Sequence, residues 1–394
     1  MTKEVLVITT RPLEVNVSSS IRKLSTINAL VDAGANVSVL TAVTPNKSSN
    51  FNNTIDYSNI TKVTIDAGKM YNSGVRKTTD KTTQNLKRKT KSIGRKIYYK
   101  TQIYDPLKGC IKKINKLEGK LKPYYDKVIS ISDPKSSHLL TNTLIKEKII
   151  SYGEYIQIWG DPMYLDITNK SLIPGTFIKK EEKRLLSRAD KILYVSPLTL
   201  KEEKKIFPKY ANRMDLLFPT YQKETIYQKV NKITKIGYFG DYNSNIRNIK
   251  PLYNAIKNTP YELEIYGNSD LDLASFDNVR VNRRVSFQKV KELEKDVDLL
   301  VHLSNSSGTQ IPGKIYQYMG TNKPILFILD GDKETLKETF NSFNRVLFCY
   351  NSESDILNKL KRFNNGEISV SNKPVREFHY KNIASKILGN GLDV

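Results

Sequence analysis

Gly308-Thr309-Gln310-Ile311-Pro312-Gly313-Lys314-Ile315-Tyr316-Gln317-Tyr318-Met319-Gly320-Thr321-Asn322-Lys323-Pro324-Ile325-Leu326 decides how this chain is read. It leaves a strand, crosses a loop, enters a helix and ends on another strand. Successive backbone amides from Thr309 to Gly313 can cradle a diphosphate where the loop meets the helix. Lys314 offers a point charge to the same group. Gln317, one helical turn on, shares its face.

Working outward, the same alternation fills the second half of the chain. Strands are predicted at Lys235 to Phe239, Leu263 to Tyr266, Val279 to Val281, Asp298 to Leu303, Pro324 to Ile328 and Val346 to Cys349. Helical spacing falls between them, from about Ile246, at Lys289 to Lys295, at Gly313 to Met319 and at Ile356 to Phe363. The first half repeats the scheme. Strands are predicted at Glu4 to Thr9, Val37 to Thr41, near Val63, and at Val128 to Ile131, Tyr155 to Trp159 and Ile192 to Val195. A helix from Ser18 to Ala33 follows the first of them, with Gly34 as its stop. Alternating strands and helices imply parallel sheets with crossovers. The expectation is therefore α/β with two Rossmann-like domains. The first is 1–211, followed by a linker at 212–234, a second domain at 235–375 and a closing helix at 376–394. Two such sheets facing one another make a cleft at their carboxyl ends, where phosphorylated ligands bind.

Composition narrows the function. The chain has 394 residues, 64 Lys and Arg against 40 Asp and Glu, and a formal charge of +24, so an anionic partner is expected. Two cysteines and three scattered histidines exclude a disulfide scaffold and a zinc cluster, and they suit a reducing compartment. No secretory signal opens the sequence, and no apolar run approaches the roughly 18 residues that a membrane span needs. From Arg76 to Lys122 there are 16 basic and 3 acidic residues, a net of +13. Ile93, Ile97, Tyr104, Leu107, Ile111, Ile114, Leu117 and Leu121 recur there at roughly helical spacing, with Tyr98 and Tyr99 as aromatics. Pro106 should interrupt any helix. Such a segment suits an anionic membrane surface; it equally suits a helix whose apolar stripe packs on the core. No nucleic-acid module is visible, and no nucleic-acid partner is expected.

Several chemistries lose their signals. The turn after the first strand, Thr9 to Ser20, holds neither a Gly-x-Gly-x-x-Gly nor a Walker lysine. Ser18 to Ser20 read as helix caps before they read as nucleophiles, and no nucleophile elbow is present. Asp270-Leu271-Asp272 and Asp296-Val297-Asp298 have the spacing of a metal-nucleotide holder, but both read as structural, so no metal site is assigned.

The quoted stretch resembles the donor-site helix of GT-B glycosyltransferases, in the large retaining family, family 4-like, whose members often read P-G-K-x-x-E-Y-x-x-x-x-K-P-I. Ser132-Asp133-Pro134-Lys135-Ser136-Ser137-His138 and Trp159-Gly160-Asp161-Pro162 are similar to that family's S-x-P-x-S-S-H and R-D-P segments. Ile236 to Asp241 with Arg247 is similar to the opening of its second domain, and Tyr380 to Leu388 to its returning helix.

The resemblance implies sugar transfer from a nucleoside-diphosphate donor, uridine-based, with retention and without a required metal. The sugar nucleotide is then a co-substrate and no cofactor is implied. It places Gly240, Arg247, Thr309, Gln310, Ile311, Gly313, Lys314 and Gln317 on the donor. Asp161, Arg247 and Lys314 become the catalytic set, and Ser18, Ser19, His138 and Trp159 line the acceptor side. The charge of the 76–122 segment adds the expectation of a lipid-linked or other envelope glycan acceptor, taken at the cytoplasmic face of the membrane. Gln317 stands where relatives usually carry Glu, and Thr309 where many carry another. Plainer readings stand beside these: an Asp161-Pro162 turn, a solvated Lys314, a surface Arg247, a packed His138, a core Trp159. So do three other functions for the whole chain: a non-catalytic protein of this fold, a basic nucleic-acid binder and an epimerase.

Overall fold

The computed structural model describes residues 2–15, 17–44, 55–72, 100–167, 171–229 and 232–389. The chain forms two compact units. One comprises the chain up to Phe218 together with Tyr380 onward, and the other is Pro219–His379.

In the first unit β1 (Glu4–Thr9) is an unbroken apolar run because both of its faces are buried. Its alternation sends Leu6 and Ile8 to one core and Val5 and Val7 to another. Around it lie β2 (Asn36–Ala42), β3 (Ile60–Ile65), β4 (Tyr124–Ile131), β5 (Ser151–Trp159), β6 (Lys191–Tyr194) and β7 (Met214–Leu216). The order is β3-β2-β1-β4-β5-β6-β7. Every pairing is parallel. The chain order reverses between β1 and β4.

The second unit repeats the plan with β8 (Lys235–Phe239), β9 (Glu262–Tyr266), β10 (Val279–Asn282), β11 (Leu299–Leu303), β12 (Ile325–Leu329) and β13 (Val346–Tyr350). Their order is β10-β9-β8-β11-β12-β13, again all parallel. One face packs Ile236, Leu263, Val301 and Leu326 against helices Lys250–Ile256 and Glu353–Asn364. Elsewhere in the unit Tyr316, Phe327, Phe340 and Phe378 make an aromatic cluster, with ring centroids 5.3–6.3 Å apart.

The closing helix, Asn382–Leu388, belongs to the first unit. Ile383, Ala384, Ile387 and Leu388 join the core of Val5, Val7 and Leu30. Lys3 donates to the Leu388 carbonyl (2.6 Å), and the Tyr380 hydroxyl donates to Asp32 Oδ2 (2.5 Å).

Several expectations change. Within 212–234, Met214–Leu216 is the seventh strand of the first sheet; three residues with Asp215 in the middle give no apolar period. Helix Ser18–Asp32 is entered through Val17 without a side-chain cap, so Ser18 to Ser20 form its first turn. The helix expected from Ile246 starts at Lys250, because Asn243 and Arg247 first close a turn on each other. Pro106 opens a 3-10 helix, Pro106–Leu117, capped by Asp105, rather than breaking one; at a first turn its missing N–H costs nothing. Of the basic segment, 76–99 lies outside the described residues. Beyond it Leu107, Cys110, Ile114 and Leu117 are buried, so this apolar stripe belongs to the core.

Trp159 is the single tryptophan and lies inside the first unit, so its fluorescence reports that unit alone. Ile387→Ala should lower the first unit's stability by about 2–5 kcal/mol through the cavity it leaves. Urea unfolding followed by Trp159 emission checks this. An unchanged midpoint would remove the closing helix from the core.

Candidate functional site

Both sheets expel their polar chemistry to the carboxyl ends of the strands, where each chain reversal leaves two loops side by side. In the second unit those loops follow β8 and β11. Arg247 spans them: Nε and Nη2 donate to Asn305 Oδ1 (3.0 and 2.8 Å), and Nη1 donates to the Asp241 carbonyl (2.8 Å). Asn305 in turn donates from Nδ2 to the Gln310 carbonyl (3.0 Å), fixing the 308–313 loop. Asp241 holds the next loop by accepting from the Asn268 amide, and it meets Arg284 at 3.2 Å. Gly240 accepts a backbone approach that only Gly267 permits. A Cβ on Gly267 would lie 2.0 Å from the Gly240 oxygen.

Lys314 opens helix Lys314–Tyr318, which is only five residues long and adds little dipole, so positive charge here comes from side chains. Its ammonium lies 3.8 Å from the fully buried Glu294, which also accepts from Tyr227 and Lys291. Burial lowers the Lys314 pKa to about 8, against the pull of Glu294 and with help from Lys291 and Arg284. Gln310 and Gln317, half-buried, each present a side-chain oxygen that accepts no hydrogen bond. Thr309 and Ile311 are half-buried in the same loop. Gly313 is exposed with nothing within 4 Å of a built Cβ. Both acidic triplets are engaged: Asp270 accepts from the Ser244 amide and hydroxyl, and Asp298 from Thr234 and Lys235.

In the first unit the reversal lies between β1 and β4. The Thr10 amide donates to Ser137 Oγ (3.0 Å), and the Thr10 hydroxyl meets Ser136 Oγ (2.8 Å). Lys23, fully buried, donates to the Asp133 carbonyl (2.7 Å). The register pairs Ile131 with Ile158, which brings Asp133 and Asp161 together just past the strand ends. Their carboxyl groups interact directly, each shifting the other's titration. Lys135 binds Asp133 (2.6 Å) and Asp166 (3.2 Å). Burial and the neighbouring Asp133 charge raise the Asp161 pKa to about 7. Against its own burial, Lys135 holds Asp133 well below the usual carboxylate range. The pair therefore shares one proton near neutrality, which is what an acid–base group needs.

The acceptor set divides. Ser19 lies in the first turn of its helix and accepts from Arg11 (2.9 Å), at this same edge. The side chain of Ser18 lies outside the described residues. His138 and Trp159 are both fully buried, so neither meets a substrate. They stack on each other at 4.2 Å, His138 Nδ1 meets Ser130 Oγ (2.6 Å), and burial lowers the His138 pKa to about 3. Trp159 donates to Gln157 within the same internal network. Three residues carrying this geometry were missed: Asn305, Asp133 as the partner of Asp161, and Arg22, whose guanidinium reaches the space above Gly160. The signal for Asp133 is its position, two residues past a strand that neighbours the strand of Asp161.

No protein-family model and no curated protein sequence matches the chain. Solved structures do. A glycosyltransferase from Rickettsia africae ESF-5 aligns over 99% of this chain and 94% of its own, with TM-score 0.52 and 10% identity. Arabidopsis thaliana UGT89C1, solved with UDP-L-rhamnose, aligns over 98% and 95%, with TM-score 0.53 and 9% identity. The same enzyme with quercetin gives TM-score 0.50 at 12% identity over 98% and 94%. At such identities the likeness is one of fold: the chain has the GT-B architecture of two Rossmann-like domains.

The raised Asp161 pKa has a stability consequence. In the unfolded chain this carboxyl ionises near 4. Between about 4 and 7 unfolding therefore releases a proton, and the group's contribution to stability falls as pH rises. Asp161→Asn removes that fall while keeping a donor to Asp133. Urea midpoints at pH 5 and pH 8 should shift in the variant's favour at the higher pH. An equal offset at both values would show that Asp161 titrates normally.

Proposed function

We propose that the chain transfers a sugar from a nucleoside-diphosphate donor, uridine-based, to a lipid-linked or other envelope glycan acceptor, with retention and without a required metal. The observation that carries this is the second unit's edge at the β8–β11 reversal. There Arg247 holds the loops after β8 and β11 together, Asn305 fixes the 308–313 loop, and Lys314 opens the helix that follows it.

Departure of a nucleoside diphosphate builds negative charge on phosphate oxygens. Charges already fixed at that place lower the barrier because they need no reorganisation. Arg247 is oriented in advance by Asn305 and Asp241, and Lys314 by its setting beside Glu294. In the first unit the Asp133–Asp161 pair handles the acceptor's proton, with Lys135 holding Asp133 as the charged member. The solved complex of UGT89C1 with UDP-L-rhamnose lends the reading support by likeness of fold.

Thermal shift across nucleotide sugars identifies the donor, since a ligand bound to the folded state alone raises the melting point. Lys314→Ala should weaken UDP binding about 10- to 100-fold, the worth of a charge-assisted hydrogen bond. Affinity by calorimetry should fall as pH rises through about 8, where the Lys314 ammonium loses its proton. Gly313→Ala, at a φ of −64° with open space around it, should leave the melting point unchanged yet impair UDP binding, because a methyl blocks the approach of phosphate to the loop amides. Unaltered UDP affinity in both variants, or binding without turnover on any acceptor, would set the transferase reading aside.

A further inference from the structure

Exposed apolar side chains in the first unit gather at one edge. Tyr164, Ile167, Leu172 and Phe177 are all exposed between β5 and the first turn of helix Gly175–Leu186, Leu172 by 72% and Phe177 by 60%. A crossover helix starts where the strand before it ends, so this turn stands at the carboxyl edge of the sheet. Val43 after β2 and Met70 after β3 continue the rim. The amino edge of the same sheet exposes only Tyr124 of this kind among the described residues.

The surroundings of these side chains are basic. The Lys179 ammonium lies 5.8 Å from the centre of the Tyr164 ring, and a Cβ on Gly175 would sit 3.1 Å from that ring. The Leu172 amide donates to the carbonyl of exposed Lys100 (2.6 Å), which lies within the +13 segment. Lys180 and Lys183 are exposed on the same helix and Lys69 beside Met70. The nearby acids are engaged: Asp166 with Lys135, Glu181 with Arg184, and Glu182 buried on the Met163 and Tyr164 amides. Exposed lysines among large apolar and aromatic side chains match an interface of acyl chains beneath anionic head groups. Four large apolar side chains held in solvent within one short stretch of chain mark an interaction surface.

We propose that this edge, with Tyr164, Ile167, Leu172 and Phe177 as the inserting side chains and Lys179 and Lys180 as the head-group contacts, docks on an anionic lipid bilayer. Membrane contact therefore belongs to the loop after β5 rather than to the apolar stripe of 107–117, which is spent on the core. The surface places the acceptor-side carboxyl pair at a lipid boundary, and so gives the proposed lipid-linked acceptor its route. Docking itself stands independently of the donor.

Flotation of the full chain with vesicles tests it, comparing equal phosphatidylglycerol and phosphatidylcholine with phosphatidylcholine alone. The chain should float with the anionic vesicles, release as salt rises, and stay behind with the neutral ones. Leu172→Ser with Phe177→Ser should weaken binding by about tenfold or more. Lys179→Gln with Lys180→Gln should weaken it about tenfold and flatten the salt dependence. All four sites are exposed, and Trp159 emission verifies that each variant folds. Absence of flotation overturns the proposal, as does undiminished flotation of the Ser variant, which would leave charge elsewhere as the anchor. A concentration-dependent dimer abolished by the Ser variant, without vesicle binding, overturns it in favour of a second copy of the chain. The thermal shift with nucleotide sugars should be the same in all variants, so failure of the donor reading leaves the vesicle result standing, and the reverse.

Discussion

The guanidinium of Arg247 ties the loop after β8 to the loop after β11 through the single oxygen of Asn305. The second unit's site depends on that tie. Two strands that are neighbours in the sheet but distant in sequence end there, and past the ladder their loops must be held in register; the Ser306 amide does part of this by donating to the Ile246 carbonyl (2.7 Å). A planar cation with several donors in fixed directions does so, and it keeps positive charge at the edge while serving as a strut. The first unit meets the same demand with other chemistry. Hydroxyls of Thr10, Ser136 and Ser137 knit the loops after β1 and β4, and buried Lys23 reaches across to the Asp133 carbonyl.

The sequence made most of the fold legible for one reason. Strands covered on both faces must be apolar at every position, so runs such as Val5 to Ile8 and Ile325 to Leu329 stand out against amphipathic helices. Met214–Leu216 escaped because three residues carry no period. Helix Lys333–Asn341 escaped because only Thr335, Leu336 and Phe340 face inward from a polar sequence. The motifs located the edges correctly in sequence, but side-chain direction is another matter. Tyr155, Gln157 and Trp159 share one face of β5, and a strand alone does not say whether that face meets solvent or core. Here it meets core, which is why Trp159 and His138 packed together instead of lining a site. Asp161 was legible as a strand-end polar residue. Its raised pKa was not, because that depends on the register that lays Asp133 beside it.

Charge buried at these edges is costly unless it is matched. The two units match it differently. In the first, acids and bases interleave: Lys135 between Asp133 and Asp166, with Arg22 and Lys23 close by. Such a network leaves one proton loosely owned. In the second, positive groups prevail, with Arg247, Arg284 and Lys314 answered chiefly by Asp241 and Glu294. An edge with surplus positive charge attracts anions.

The helix Asn382–Leu388 covers a core built almost four hundred residues earlier in synthesis. Val5, Val7, Ile27 and Leu30 wait for Ile383, Ala384, Ile387 and Leu388. During translation the first sheet therefore stands with one greasy flank open while the whole second unit emerges and folds. A message cut short between Phe218 and Asn382 yields a polypeptide with that flank bare, an object for proteases and chaperones. Folding of the first unit is thus completed only by a helix made after the second unit.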